Sequence, residues 1–325
     1  MRSESGPDAI SPKRIEQIQE RLLEWFREHA RDLPWRRTRD PYAILVSEIM
    51  LQQTQVDRVI PYFERFVERY PTVGDLAAAP TADVIRIWSG LGYNRRAVNL
   101  QRAAVAVSTQ FGGTFPDQSE QLRKLPGVGA YTAGAVAAFA FERDVVFLDT
   151  NMRRVVSRLI FGNGSPSEKE VLAAASSLFP KGRSWAWNQA LIEFGALQCT
   201  AKRPACIVCP LNQCCEAFPT MQSTLAEKRT AARRKTGDPF ETSSRYFRGR
   251  IVKVLRALPS HDNAGIELTQ LGPQVRDGFS PQDLPWLQGL VEGLQRDGLA
   301  AIAEESPHYD TDTDQSAPFP RVRLP

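Results

Sequence analysis

The chain has 325 residues, 42% of them hydrophobic, which is ordinary for a folded globular protein and enough for two or three domains. No apolar run approaches the ~20 residues of a membrane span. The opening MRSESGPDAISPKR lacks the apolar core of a secretion signal, so a cytoplasmic, nucleoid-associated location is expected. A net charge of +4 permits a nucleic-acid partner without requiring one.

Residues 1–12 read as a disordered lead. From Lys13 a helical period places Ile15, Ile18, Leu22 and Phe26 on one face. The helix ends before Arg31-Asp32-Leu33-Pro34-Trp35-Arg36, where Pro34 stops it among basic and aromatic side chains. AILVSEIMLQQTQVDRVIPYFERF then reads as one long helix with Ile44, Leu45, Ile49 and Val56 on its apolar side. Glu48 lies inside that run. A carboxylate among apolar neighbours is costly unless its proton or its partner is controlled; the plain alternative is a surface glutamate on an amphipathic helix. Residues 72–111 read as two helices joined by Ser89-Gly90-Leu91-Gly92-Tyr93-Asn94-Arg95-Arg96. An aromatic at the tip of a basic loop suits wedging between bases, or it caps the core.

The next stretch, Leu125 to Asn151, organises the chain. Gln118–Lys124 form a short helix, Leu125-Pro126-Gly127-Val128-Gly129 a turn, and residues 130–142 a helix of small residues; together they make a helix-hairpin-helix. The turn leaves helix N-terminal amides uncovered, a ready anion site for which phosphate is the natural occupant. Asp149 stands just before the helical pattern Met152, Val155, Val156, Leu159. It suits a helix N-cap and could also be brought beside a nucleotide sugar. Residues 167–198 are helical again, with Glu193 in apolar surroundings.

All five cysteines fall between Cys199 and Cys215, where a disulfide framework would spread them along the chain. The pattern Cys199-x6-Cys206-x2-Cys209-x5-Cys215 can enclose one metal centre. Zinc is the common occupant of four-cysteine sites, whereas the unequal spacing with a single CxxC suits a [4Fe–4S] cluster. Further on, KRTAARRK (228–235) is a basic stretch, residues 246–258, 266–275 and 285–297 read as helices, and 298–302 as a short strand. Residues 305–325 are acidic, then Pro-rich, and expected to be disordered.

Taken together, LPWR (33–36), SEIMLQQTQV (47–56), GLGY (90–93), LPGVGAYTAGA (125–135), LDTN (148–151), QALIEFGA (189–196) and the cysteine spacing resemble the helix-hairpin-helix DNA glycosylases of the endonuclease III superfamily. Within it the chain resembles the adenine DNA glycosylase (MutY-type) branch, over about residues 13–218. The resemblance implies an all-α, two-lobed glycosylase fold with an iron–sulfur loop, followed by a small winged-helix-like unit. The implied division is a disordered lead at 1–12, a catalytic domain at 13–218 with its cluster loop at 199–215, a basic linker at 219–244, the small domain at 245–304 and a disordered tail at 305–325.

The implied reaction is hydrolysis of the N-glycosidic bond of adenine paired with 8-oxoguanine or guanine in double-stranded DNA, by a monomer. Glu48 would protonate adenine N7, and Asp149 would stabilise or briefly bond the sugar cation, with Asn151 and Tyr131 lining that site. Arg31 and Glu193 would contact the flipped base or its waters. Gln53 and Tyr93 would insert at the lesion pair. Gly127 and Gly129 would give amides to phosphate, often with an alkali cation at the hairpin. Cys199, Cys206, Cys209 and Cys215 would hold a [4Fe–4S] cluster. Bifunctional members carry a lysine where this chain has Tyr131, so a monofunctional enzyme is implied. The chain departs from the family in lacking the β pattern of a Nudix-like C-terminal domain. The alternatives are a thymine glycosylase for T·G mismatches and a non-catalytic DNA-binding iron–sulfur protein.

Overall fold

The computed structural model describes residues 10–221, 240–259, 265–303 and 320–325. The basic stretch at 228–235, and most of the expected lead and tail, lie outside them. The described residues form two compact units: those of 1–48 with 115–234, and those of 49–114 with 235–325.

The first unit is helical. α1 (Pro12–His29) starts on a proline, whose fixed φ and missing N–H suit a first turn, and buries Ile18, Leu22, Leu23, Trp25 and Phe26. α7 (Ser119–Leu122) and α8 (Ala130–Phe141) are the arms of the hairpin. α8 is apolar all round and buries every residue from Thr132 to Phe139, as an interior helix should. α9 (Thr150–Phe161), α10 (Glu168–Leu178) and α11 (Ser184–Leu197) complete the unit. α11 is its hub, packing against α1, α8 and α9. α2 (Pro41–Leu51) contains the boundary between the units, which falls after Glu48.

The second unit holds α3 (Val56–Arg69), α4 (Val73–Ala78), α5 (Thr81–Ile87) and α6 (Arg95–Gln110). It also holds α12 (Ser244–Ala257), β1 (Ile266–Glu267), α13 (Leu268–Val275), α14 (Leu284–Arg296), β2 (Ala301–Ala303) and β3 (Arg321–Arg323). β3 is the central strand of an antiparallel sheet, pairing Val322 with both Ile266 and Ile302. Ile85 of α5 and Val98 of α6 share one core with Ile251, Val252 and Leu255 of α12. That shared core is why the compact units do not follow the expected division at 219–244: residues 49–114 pack with the C-terminal segment.

Four further expectations are corrected. The expected long helix from 43 to 66 is two helices, α2 and α3, parted at Gln52–Gln55, where Gln53 takes φ 55°. The carbonyls of Ile49, Met50 and Gln52 at the end of α2 accept instead from the Arg96 guanidinium, at 2.8, 2.9 and 2.7 Å. Residues 72–111 hold three helices rather than two, because Pro80 holds Ala79 extended and starts α5 afresh. The expected disorder to residue 325 fails at 321–323, where fully buried Val322 belongs to the core. Ile266 likewise opens a strand rather than a helix. Strands of two or three residues carry no readable period.

Candidate active site

Glu48 sits near the end of α2 between Ser47 and Ile49, in a run buried from Tyr42 to Met50 apart from Ala43. Its own exposure is 6%. Burial pushes its pKa up to about 7. A hydrogen bond with Tyr131 opposes the rise, the charge of Asp149 adds to it, and Arg36 opposes it. The result is a carboxyl that is about half protonated at neutral pH. Tyr131, in the first turn of α8, packs edge-on against Phe147 at 5.4 Å. Burial first, then the Glu48 charge, raises its hydroxyl well above the usual phenol range, so it stays a proton donor.

Asp149 is the N-cap of α9. Its Oδ1 accepts from Met152 N at 2.6 Å, and its Oδ2 accepts from Asn151 Nδ2 at 3.1 Å. Asn151 is fixed in turn, because Arg154 Nη2 donates to its Oδ1 at 2.8 Å and to the Gly195 carbonyl at 2.7 Å. Arg154 Nε donates to the Cys199 carbonyl at 2.9 Å. A Cβ on Gly195 would lie 2.8 Å from that of Asn151, so only glycine lets α11 approach α9 this closely. Asp149 thus has its orientation set from two sides and still keeps partial exposure.

Arg31 and Glu193 are brought together as an ion pair, with Arg36, an arginine the sequence did not single out, as the second partner. Glu193 is wholly buried; Oε1 accepts from Arg31 Nε at 2.7 Å and Oε2 from Arg36 Nη2 at 2.9 Å. Burial alone would raise its pKa, but Arg31 and Arg36 together bring it down to about 2. Of the pair, Arg31 is the partner with open surface, its side chain being 31% exposed. Arg36 also donates to Gln189 Oε1 at 2.8 Å. Glu193→Ala would leave both guanidiniums facing a hole, a loss of about 3–5 kcal/mol for a broken buried pair. Urea denaturation at pH 7 checks this. The contribution is complete above pH 4.5 and fades as pH falls toward 2, because the folded-state pKa is the lower one.

The hairpin turn places Gly127 at φ 76°, exposed, and makes exposed Gly129 the N-cap of α8 with no side-chain cap. No side chain caps the first-turn amides, the feature that phosphate binding at a helix N-terminus uses. Gln53 and Tyr93 lie in the other unit, each a non-glycine residue in left-handed backbone, at φ 55° and 46°.

Cys199, Cys206, Cys209 and Cys215 line one cavity together with Arg158 and Leu211, and none of them is in a disulfide. Arg158 Nη1 lies 3.4 Å from Cys199 Sγ and donates to the Thr200 carbonyl at 2.8 Å. Burial raises the thiols of Cys206, Cys209 and Cys215, that of Cys209 to about 11. Cys214, the fifth cysteine, is buried and faces Gln17. Among the described residues no three His, Cys, Asp or Glu close on a point that would hold a single metal ion.

Sequence reasoning missed Arg36, Arg96 and Arg154. Arg36 lies in LPWR and Arg96 in the basic Ser89–Arg96 loop, but nothing local marks the distant carbonyls that Arg96 and Arg154 take.

Residues 46–181 match the family described as HhH-GPD superfamily base excision DNA repair protein. The chain is 39% identical over 289 residues to the adenine DNA glycosylase of Mycolicibacterium smegmatis, covering 87% of this chain and 95% of that one. It is 41% identical over 209 residues to the adenine DNA glycosylase of Homo sapiens, covering 60% of this chain and 38% of the human one. Among solved structures it is similar to a thermostable thymine-DNA glycosylase, with TM-score 0.60 and 31% identity over 64% of this chain and 97% of that one. It is also similar to a non-covalent endonuclease III–DNA complex, with TM-score 0.59 and 26% identity over 66% of this chain and 100% of that one.

Proposed function

The chain belongs to the adenine DNA glycosylase family of helix-hairpin-helix base-excision repair enzymes, and from that premise we propose that its substrate is adenine paired with 8-oxoguanine or guanine and that it acts without a lyase step. It is a DNA-binding hydrolase of N-glycosyl bonds. The observation that carries the finer reading is the cluster of Glu48, Tyr131 and Asp149, in which two carboxyl groups have different environments.

Adenine departing as an anion is a poor leaving group, so the base must be extruded and protonated. Glu48, held near half protonation by burial, gives its proton to N7 as the bond from C1′ to the base breaks. Positive charge develops on the sugar, where the oriented carboxylate of Asp149 stabilises it. Water then adds to C1′, and its proton returns to Glu48. Arg31, backed by Glu193, would meet the extruded base, and the amides after Gly127 and Gly129 would hold a phosphate, with an alkali cation beside it. Tyr131 cannot form a Schiff base with the sugar, which supports a single function. Among the described residues no helix is long and apolar enough to cross a membrane; with DNA as substrate, a monomer working at the nucleoid is the expected arrangement.

The four cysteines would hold a [4Fe–4S] cluster: their spacing has a single CxxC, all four line one cavity, and Arg158 Nη1 lies 3.4 Å from Cys199 Sγ. When bound, the cluster would supply a charged anchor for the 199–215 loop. Arg154 and Arg158 hold that loop against α9, the helix that Asp149 caps.

One assay tests the substrate reading: alkaline strand cleavage after incubation with duplexes carrying A·8-oxoguanine, A·G, T·G or thymine glycol. Cleavage at adenine in the first two is expected, with no borohydride-trapped covalent complex. Cleavage at T·G would favour the thymine-glycosylase alternative, which the 31% identity to a thymine-DNA glycosylase keeps in view. Robust trapping would overturn the monofunctional assignment.

A further inference from the structure

From Cys206 to Cys215 the chain is a series of tight turns. Cys209 N donates to the Cys206 carbonyl at 3.3 Å, Asn212 N to that of Cys209 at 3.1 Å, Cys214 N to that of Leu211 at 2.9 Å and Cys215 N to that of Asn212 at 3.3 Å. Bonds of this i to i+3 kind set local shape. They do not decide where the run lies against the helices, so contacts from farther along the chain must.

Such contacts come from α1. Arg14, Gln17 and Arg21 follow one another at three and four residues, which puts them on one face of that helix. The face meets the short turn Asn212–Cys214. Arg14 uses its whole fork there. Its Nη2 donates to the Cys214 carbonyl at 2.8 Å and to the Leu159 carbonyl at 2.9 Å, its Nε donates to the Cys214 carbonyl at 3.3 Å, and its Nη1 pairs with Glu216 Oε1 at 2.8 Å. One guanidinium thereby ties the last turn of α9, the Cys214–Cys215 peptide and Glu216 to α1. Arg21 Nη1 donates at 3.1 Å to the carbonyl of Pro210, the residue after Cys209, and its Nη2 donates to Gln213 Oε1 at 3.0 Å. Gln17 Oε1 lies 3.8 Å from Cys214 Sγ. The stripe therefore grips the chain beside two of the four cysteines, Cys209 and Cys215.

We propose that the Arg14–Gln17–Arg21 face of α1 is the second half of the cluster site, opposite in role to Arg158 at the Cys199 end, and that Arg14 is the positioning residue that keeps Cys215 turned into the cavity it lines with Cys199, Cys206 and Cys209. The inference rests on the [4Fe–4S] reading above and extends the site to a helix that the cysteine spacing does not include. Arg14 acts through a carbonyl rather than a thiol. A charged donor makes the stronger kind of hydrogen bond, and a planar fork spans two carbonyls and a carboxylate where an ammonium reaches as a point charge. Without that hold, the local turns remain but the Cys215 end of the loop is loosened from α9 and α1, and the site opens to water and to chelators.

The test uses the full chain, purified with its metal, as wild type, Arg14→Ala, Arg14→Lys, Arg21→Ala and Gln19→Ala. Gln19 lies on another face of α1 and donates to the Leu178 carbonyl at 2.9 Å, so its variant reports the effect of loosening α1 alone. Iron and acid-labile sulfide per chain are measured beside the melting temperature, together with the rate at which the visible absorbance of the cluster bleaches under an iron chelator. Bleaching in Arg14→Ala should be about 10–100-fold faster than in wild type, the range in which groups that orient metal ligands change metal affinity. Arg14→Lys should fall between the two, Arg21→Ala should show a smaller acceleration, and Gln19→Ala should bleach as wild type does. If Arg14→Ala fails to fold, the lysine and Arg21 variants carry the test. Wild-type bleaching in all the loop-facing variants would overturn the proposal, and so would an equal acceleration in Gln19→Ala. Wild-type protein that carries zinc, or neither iron nor sulfide, would instead overturn the cluster reading beneath it.

Discussion

Glu48→Gln is expected to abolish adenine release while leaving DNA binding in place. The amide matches the carboxyl in size and can still accept from the Tyr131 hydroxyl, but it has no proton to give. Loss of a general acid costs about 10²–10⁴-fold in rate, so single-turnover cleavage should fall to the limit of detection while anisotropy still reports binding. In the wild type, the proton that matters is on Glu48 below about pH 7 and off above it. The rate should therefore decline on the alkaline side of about pH 7.

The same shift has a stability consequence that runs the same way with pH. The folded protein holds this proton more tightly than the unfolded chain, whose ordinary value is 4.5. Stability tied to that proton is fully present below pH 4.5 and is lost as pH rises through about 7. At pH 8 the buried charge then costs on the order of 3 kcal/mol. Glu48→Gln should accordingly be inactive and yet more stable than wild type at pH 8, with that gain gone near pH 4. A variant that still turned over, or that was destabilised at pH 8, would sink the assignment of Glu48 as a buried acid.

Much of the site was legible because its signals are local. A carboxylate inside SEIML conflicts with its apolar neighbours, and Asp149 before a fresh helical period has the position of an N-cap, which the geometry bears out at 2.6 Å. The hairpin was legible for the same reason, since LPGVG breaks one helix and opens another. What the sequence hid is long-range. The run after Glu48 keeps a helical period through Gln52–Gln55, and the chain turns there because Arg96, far along the sequence, takes the α2 carbonyls. No pattern near Arg154 announces that it ties Asn151 to the Cys199 carbonyl. β3 is three residues inside a Pro-rich tail, and only its partners make it a strand. The union of residues 49–114 with the C-terminal segment is likewise a fact of packing, in which Ile85 and Val98 meet Ile251 and Leu255.

Asp149→Asn should also eliminate base release, and it separates charge from structure more cleanly than any other substitution here. Asparagine is as good an N-cap as aspartate, so its carbonyl can keep the bond from Met152 N and α9 should persist. The new amide group would replace Oδ2, which now accepts from Asn151 Nδ2. Asn151 cannot simply turn over to match it, because Arg154 holds its carbonyl oxygen at 2.8 Å. Two facing donors with one lost hydrogen bond cost about 1–3 kcal/mol, a modest drop in melting temperature that leaves a folded protein. Removing the one carboxylate aimed at a developing cation costs far more on the reaction coordinate, about 10²–10³-fold or beyond by analogy with deletion of a single preorganised electrostatic group. Circular dichroism and thermal melts measure the first effect, and single-turnover cleavage of an A·G duplex the second. If turnover survived, the charge of Asp149 would be dispensable and its role would reduce to the cap. If the protein failed to fold, the cap would depend on the carboxylate itself. A folded, DNA-binding and inactive variant leaves the negative charge on Asp149 as the property the reaction requires.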